Sequence, residues 1–124
     1  MDEIRRRGAR AGLALNPGTS LAVAGELWTS LDLLLIMAVN PGFGGQAFIP
    51  ASVEKVRRAV SLLESAGSPA LIEVDGGVSP ANAGSLAAAG CDILAAGSSL
   101  FSGGDVSGAT AALRRAASGC VAPA

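Results

Sequence analysis

The sequence predicts an α/β fold built on a parallel sheet, and three observations carry that expectation. Short apolar runs recur along the 124 residues, and each ends at a turn that contains glycine. Each run is followed by a segment with helical periodicity or a helix-capping signal, and strand–helix alternation of this kind gives parallel strands covered by helices. The turns Leu15-Asn16-Pro17-Gly18 and Val39-Asn40-Pro41-Gly42 also resemble one another, a weak internal repeat expected when one βα unit is reused. One helix followed by four βα units fits two architectures, a small open sheet or half of an eight-stranded (βα) barrel. In such barrels the loops after the strands carry the chemistry, and phosphate often binds after the seventh and eighth strands beside a short extra helix.

The elements follow in order. Met1 to about Arg10 reads as a helix end, with acids first and bases last, as the helix dipole favours. Ala11 to Leu15 is the first apolar run, stopped by Asn16-Pro17-Gly18. Thr19 or Ser20 can cap a helix reaching about Trp28. Asp32 to Val39 is the second run, ended by Asn40-Pro41-Gly42. Pro50-Ala51-Ser52 opens an amphipathic helix in which Val53, Val56, Val60 and Leu63 form one stripe, with Glu54, Lys55, Arg57 and Arg58 largely outside it. Ala70 to Val74 is the third run, stopping at Asp75-Gly76-Gly77. Ser79-Pro80 gives an N-cap followed by proline at the first helical position, for a helix ending near Gly90. Asp92 to Ala96 is the fourth run, with a short helical turn after Gly97. Asp105 caps a last helix from about Val106 to Ala117, so the expected domain is 1–117, with 118–124 a frayed tail.

Composition narrows the function. A chain of this length is one domain at most. A net charge of −1 leaves no electrostatic footprint for nucleic acid or an anionic membrane, and the basic cluster Arg5-Arg6-Arg7 with Arg10 reads as a solvated helix face. Cys91 and Cys120 match no metal spacing. Cys91 reads as a small buried hydrophobe, and a reduced, cytoplasmic setting is expected. The N-terminus lacks the apolar stretch of a signal peptide, and Leu31 to Val39 is too short to span a bilayer.

Asp75 is the leading catalytic candidate. It ends a strand, precedes two glycines, and shares a strand face with Leu71 and Glu73. A carboxylate there can exchange a proton or bind a metal; the competing role is stabilisation of the turn before Gly76-Gly77. Glu73, deeper in the strand, is expected in a structural ion pair because a buried unpaired charge is costly. Gly42-Phe43-Gly44-Gly45 can wrap a phosphate with backbone amides, or be only a flexible turn; it has neither P-loop nor Rossmann spacing. Gly97-Ser98 offers amides at a helix start that attract anions, or a plain strand-to-helix turn. Met37 shares its face with Leu33 and Leu35 and either fills the core or lines a pocket at the strand mouth. Asn16 and Asn40 read as turn caps.

Taken together, Ala-Leu-Asn-Pro-Gly-Thr at 14–19, the string from Met37 through Gln46 with its Asn-Pro-Gly-Phe-Gly-Gly core, Glu73 through Gly77, and Ala96 through Phe101 resemble the ribulose-phosphate 3-epimerase family. The resemblance runs from about Gly8 to Phe101 and places these pieces on strands five to eight, making the chain the C-terminal half of a (βα)8 TIM barrel. It implies interconversion of D-ribulose 5-phosphate and D-xylulose 5-phosphate, with Asp75 both a ligand of a divalent metal (Zn, Fe, Mn or Co) and the acid/base on one face of the substrate. It implies that Gly42, Phe43, Gly44, Gly45, Gly76, Gly77, Gly97 and Ser98 hold the sugar phosphate, mostly through its phosphate, and that Met37 packs near the reacting carbon. The family's opposing aspartate and three other metal ligands, two of them histidines, belong to the first half of the barrel, whereas this sequence contains no histidine. The expectation is therefore a truncated epimerase, inactive alone, that forms a homo-oligomer or needs the missing half. A non-catalytic phosphate-binding half-barrel or assembly partner, and an epimerase of a related sugar phosphate such as a hexulose phosphate, are the alternatives.

Overall fold

A computed structural model describes residues 1–119. The chain opens with α1 (Asp2–Arg6), followed by β1 (Gly12–Leu15), a 3-10 segment (Leu21–Ser30), β2 (Leu33–Met37) and α2 (Ala51–Ser65). Then come β3 (Leu71–Asp75), α3 (Pro80–Ala88), β4 (Ile93–Ala95), the single turn α4 (Ser98–Phe101) and α5 (Val106–Ser118). The strands form one four-stranded sheet in the order β1-β2-β3-β4, and every neighbouring pair is parallel. Parallel strands in sequential order, joined by right-handed crossovers, put all their helices on one face.

Burial follows that geometry. On the helix side of the sheet, Leu34, Ile36, Ile72 and Val74 are fully buried, packed with Val56, Ala59 and Leu63 of α2, Ala83 and Leu86 of α3, and Leu113 of α5. Burying each large aliphatic side chain contributes about 1.5–3 kcal/mol. The period-two alternation turns Leu33, Leu35 and Met37 of β2, and Leu71, Glu73 and Asp75 of β3, to the other face. That face is only partly covered: Leu71 is 41% and Ile93 38% exposed.

Two aspartates pin the end of the sheet opposite the strand mouths. Asp32, just before β2, accepts the amide of Ala11 at 2.7 Å and pairs with Arg5 of α1 at 3.2 Å. Asp92, just before β4, accepts the amide of Ile72 at 2.8 Å. The Ala11 amide, and after it the Arg5 guanidinium, hold the Asp32 carboxyl below its ordinary 3.8. Each acid thus ties its own strand start to the backbone of a neighbouring strand segment, at Ala11 and at Ile72. Arg6 and Arg7 pair with Glu3 on α1, as a solvated helix face does.

Three expectations change, those for the segment after β1, for Lys55 and for Glu73. The segment capped by Ser20, whose hydroxyl accepts the Ala22 amide, is 3-10 rather than α, and it kinks at Gly25, where φ is 35°. Lys55, expected largely outside the apolar stripe of α2, is buried at 6% exposure, with its ammonium on backbone carbonyls of the loop after β1. Glu73 makes no ion pair among the described residues; the partly open sheet face leaves it half-buried and in reach of water, so burial does not force a partner on it. Helix α5 runs through Ser118 with Gly119 as its C-cap; the rest of the expected tail, with Cys120, lies outside the described residues. Cys91 is half-buried, its Sγ 3.1 Å from the Ile93 carbonyl oxygen, and burial pushes its thiol up to about 11.

Candidate active site

The C-terminal ends of β2, β3 and β4 and the loops that follow them enclose one cleft of about 230 Å³. Met37 and Val39 contribute one wall from the end of β2. Met37 sits beside Asp75 in the β2–β3 register, so the methionine and the acid face the same space one strand apart. Backbone continuity across this junction is tight: the Ala38 amide donates to the Asp75 carbonyl at 2.7 Å, and the Ile49 amide returns to the Ala38 carbonyl at 2.9 Å.

The loop between those two bonds supplies Phe43, Gly44, Gly45 and Gln46 to the cleft. Gln46 holds the loop in shape, because its Nε2 donates to the Asn40 carbonyl at 2.7 Å and to the Phe43 carbonyl at 2.9 Å. Its position at the end of the glycine-rich string was visible in the sequence; its service to the loop's own carbonyls was not. Phe43 is 75% exposed at the rim. Gly42 lies in the same loop but does not line the cleft.

Gly76 and Gly77 follow Asp75 into the cleft, and both need to be glycine. They adopt φ of 115° and 64°, values that cost L side chains energy. A Cβ on Gly76 would fall 2.9 Å from the Val39 backbone nitrogen, and one on Gly77 would fall 2.6 Å from the Phe48 backbone nitrogen. The second strand loop therefore lies directly against the first. Asn82 of α3 fixes the next turn, donating to the Gly77 carbonyl at 2.9 Å while its Oδ1 accepts the Ser79 amide at 3.0 Å. Gly97 and Ser98 close the remaining side, at the start of α4, where the Ser98 amide, as the first of the helix, has no intrahelical acceptor. Ser99 ties this turn to the β3 loop through a 2.6 Å bond from its hydroxyl to the Val78 carbonyl.

Asp75 is the one acid among the cleft's lining residues. Its carboxylate makes no hydrogen bond or ion pair among the described residues. The turn after it is held by Asn82 and by glycine geometry, not by the Asp75 side chain. A carboxylate so placed is half-buried, oriented by its strand and uncommitted, and it can accept or return a proton.

The sequence model of the Ribulose-phosphate 3 epimerase family matches residues 1–101. The chain belongs to this family. It is 46% identical over 109 residues to ribulose-phosphate 3-epimerase 1 of Cupriavidus necator, covering 85% of this chain and 45% of that protein. It is 45% identical over 98 residues to the Escherichia coli K12 ribulose-phosphate 3-epimerase, covering 79% and 44%. For the Mycobacterium leprae ribulose-phosphate 3-epimerase the values are 44% over 121 residues, covering 98% and 54%. The chain thus spans about half the length of the curated relatives it matches. Among solved structures, a thiamine phosphate pyrophosphorylase from Pyrococcus furiosus superposes with a TM-score of 0.50 at 21% identity, covering 98% of this chain and 65% of that one. That likeness concerns the fold alone.

Proposed function

We propose that the cleft is one half of the active site of a ribulose-phosphate 3-epimerase, acting on D-ribulose 5-phosphate and D-xylulose 5-phosphate in carbohydrate metabolism. The observation that carries this reading is the uncommitted Asp75 carboxylate, set between three glycine-bearing strand ends in a chain of this family. Asp75 is the acid/base for one face of the sugar. Its carboxylate removes the C3 proton while the electrons of that C–H bond pass into the adjacent carbonyl, giving a planar enediolate. A second acid on the opposite face returns a proton to C3, which inverts the centre with no net change in atoms or electrons. Met37 packs beside the reacting carbon. Amides of the Gly42–Gly45 loop, of Gly76 and Gly77, and of Gly97 and Ser98, with the Ser98 hydroxyl, hold the sugar phosphate.

The cleft offers one carboxylate, and the described residues contain no group of three or more His, Cys, Asp or Glu able to hold a metal ion. The described residues thus do not by themselves make the divalent-metal site that the family resemblance implies, since such a site takes several protein ligands.

The four βα units are in this reading strands five to eight of a (βα)8 barrel. Support comes from the sequential parallel order, with helix-side burial on one face, the partly exposed opposite face, and the two sheet edges at β1 and β4. Free edges and an open apolar face favour association, so four further strands, from a complementary half or a second copy, complete the barrel and bring the opposing acid. A cytoplasmic setting belongs to the same proposal. No helix among the described residues is long and apolar enough to cross a membrane.

The test uses the chain by itself with D-ribulose 5-phosphate. The expected result is binding that shifts the amide resonances of Gly44, Gly45, Gly76 and Gly77, without turnover. Shifts confined to other parts of a folded sample would remove the cleft from the proposal.

A further inference from the structure

A lysine is the least expected residue to bury in the second turn of a helix, yet Lys55 is 6% exposed. Its ammonium donates to three carbonyl oxygens of the loop after β1: Asn16 at 2.8 Å, Pro17 at 3.2 Å and Thr19 at 2.7 Å. An ammonium has three donors, and all three are used. No carboxylate pairs with it among the described residues. A buried charge needs polar partners, and here three convergent carbonyl dipoles supply them. The backbone of Asn16–Thr19 is in effect a cation receptor, occupied by a side chain from another element.

The consequence reaches the cleft through α2. Lys55 stands one turn after Ala51, where α2 begins. The glycine-rich loop ends at Ile49, whose amide bonds the Ala38 carbonyl, and Ser52 bonds back to Ile49. Phe48, in the last stretch of that loop, is the residue against which Gly77 packs. The C-terminal anchor of the loop is therefore only as fixed as the first turns of α2, and Lys55 locks those turns to the β1 loop. Gln46 sets the loop's internal shape; Lys55 sets where the helix that receives it is docked.

We infer that Lys55 is a positioning residue: its ammonium, held by the carbonyls of Asn16, Pro17 and Thr19, fixes the glycine-rich loop at the cleft without touching it. This goes beyond the proposed function and concerns loop order, which is measurable whether or not the cleft turns over a sugar.

The test is made on the full chain by NMR. In Lys55→Met, which keeps the stem and removes the charge, exchange of the Ile49 amide is expected to quicken about 10- to 100-fold. The heteronuclear NOE of Gly44 and Gly45 should fall together with that of Gly18 and Thr19. In Lys55→Ala, n-propylammonium should restore these signals while n-propanol at equal concentration should not. Loosening confined to Asn16–Thr19, or rescue by the alcohol as good as by the amine, would overturn the inference. Should Lys55→Met fail to fold, Lys55→Arg decides. The planar fork cannot serve three carbonyls that converge on one point, so Ile49 exchange should still quicken, and wild-type exchange in that variant overturns the inference. Titration of the wild type with inorganic phosphate is read separately. Its failure would count against the phosphate-holding role of the cleft and leave the loop-order result standing.

Discussion

Replacing Gly77 with alanine should unfold much of the cleft's support, and the size of the effect can be worked from the geometry. The new Cβ would stand 2.6 Å from the Phe48 nitrogen, 2.8 Å from its Cα and 3.0 Å from its Cβ. The first two are backbone atoms, so no rotamer change relieves the clash. Forcing an extra methyl into such a contact costs about 1–3 kcal/mol. The φ of 64° adds about 1–2 kcal/mol for a residue with a Cβ. The expected loss of about 2–5 kcal/mol is a large share of the roughly 5–15 kcal/mol that holds a domain folded. It corresponds to a fall in Tm of about 8–20 °C at some 4 °C per kcal/mol. Gly44→Ala is the control. Gly44 has no positive φ, and a Cβ there meets nothing within 4 Å, so a change within about 0.5 kcal/mol is expected. Urea melts followed by circular dichroism and by the single tryptophan, Trp28, measure both variants. A Gly77→Ala protein as stable as Gly44→Ala would refute the reasoning, because it would mean that the β3 and β2 loops are not in contact.

Two further predictions concern titration. Asp32 is held below its ordinary 3.8 by the Ala11 amide and then by Arg5, so its stabilisation is present above the unfolded value and fades as pH falls through the folded one. The urea midpoint should drop between pH 5 and pH 2, about the range in which a depressed carboxyl titrates, and Asp32→Asn should flatten that drop; an unchanged profile would exclude the carboxylate as its source. Burial raises the Cys91 thiol to about 11, leaving almost no thiolate at pH 8. Peptide mapping after iodoacetamide treatment should show Cys91 protected in the native protein and modified once it is unfolded, and equal labelling in both states would contradict the packing described.

Much of this fold was legible because its signals are local. Each strand is a short apolar run stopped by a glycine turn, and three of the helical segments start at a capping residue, Ser20, Ser79 and Asp105. The glycine-rich strand ends that gather at the cleft stood out as motifs. What escaped the sequence depended on contacts far apart along the chain. Lys55 is charged and sits beside a typical apolar stripe, and nothing in its neighbourhood announces the carbonyls 36 to 39 residues away. Asp32 and Asp92 look like ordinary polar residues before strands until their bonds to the Ala11 and Ile72 amides, about 20 residues away, are seen. Ser20 announces a helix start, but no local signal announces the kink at Gly25 or the 3-10 geometry of a segment that buries Leu21, Ala24 and Trp28. Glu73 was expected to pair because a strand interior suggests burial, and the open sheet face removes that requirement.

The most direct test of the central claim is turnover of D-ribulose 5-phosphate, read as D-xylulose 5-phosphate in a coupled assay. The chain would be co-expressed with a polypeptide supplying the remaining βα units of the Cupriavidus necator relative, with Zn²⁺, Fe²⁺ or Mn²⁺ added. The account predicts turnover from the folded complex and a fall in kcat of about 10²- to 10⁴-fold in Asp75→Asn, with the complex still assembled. A folded complex without turnover, or one in which Asp75→Asn retains it, would contradict the assignment of this cleft as half of an epimerase site.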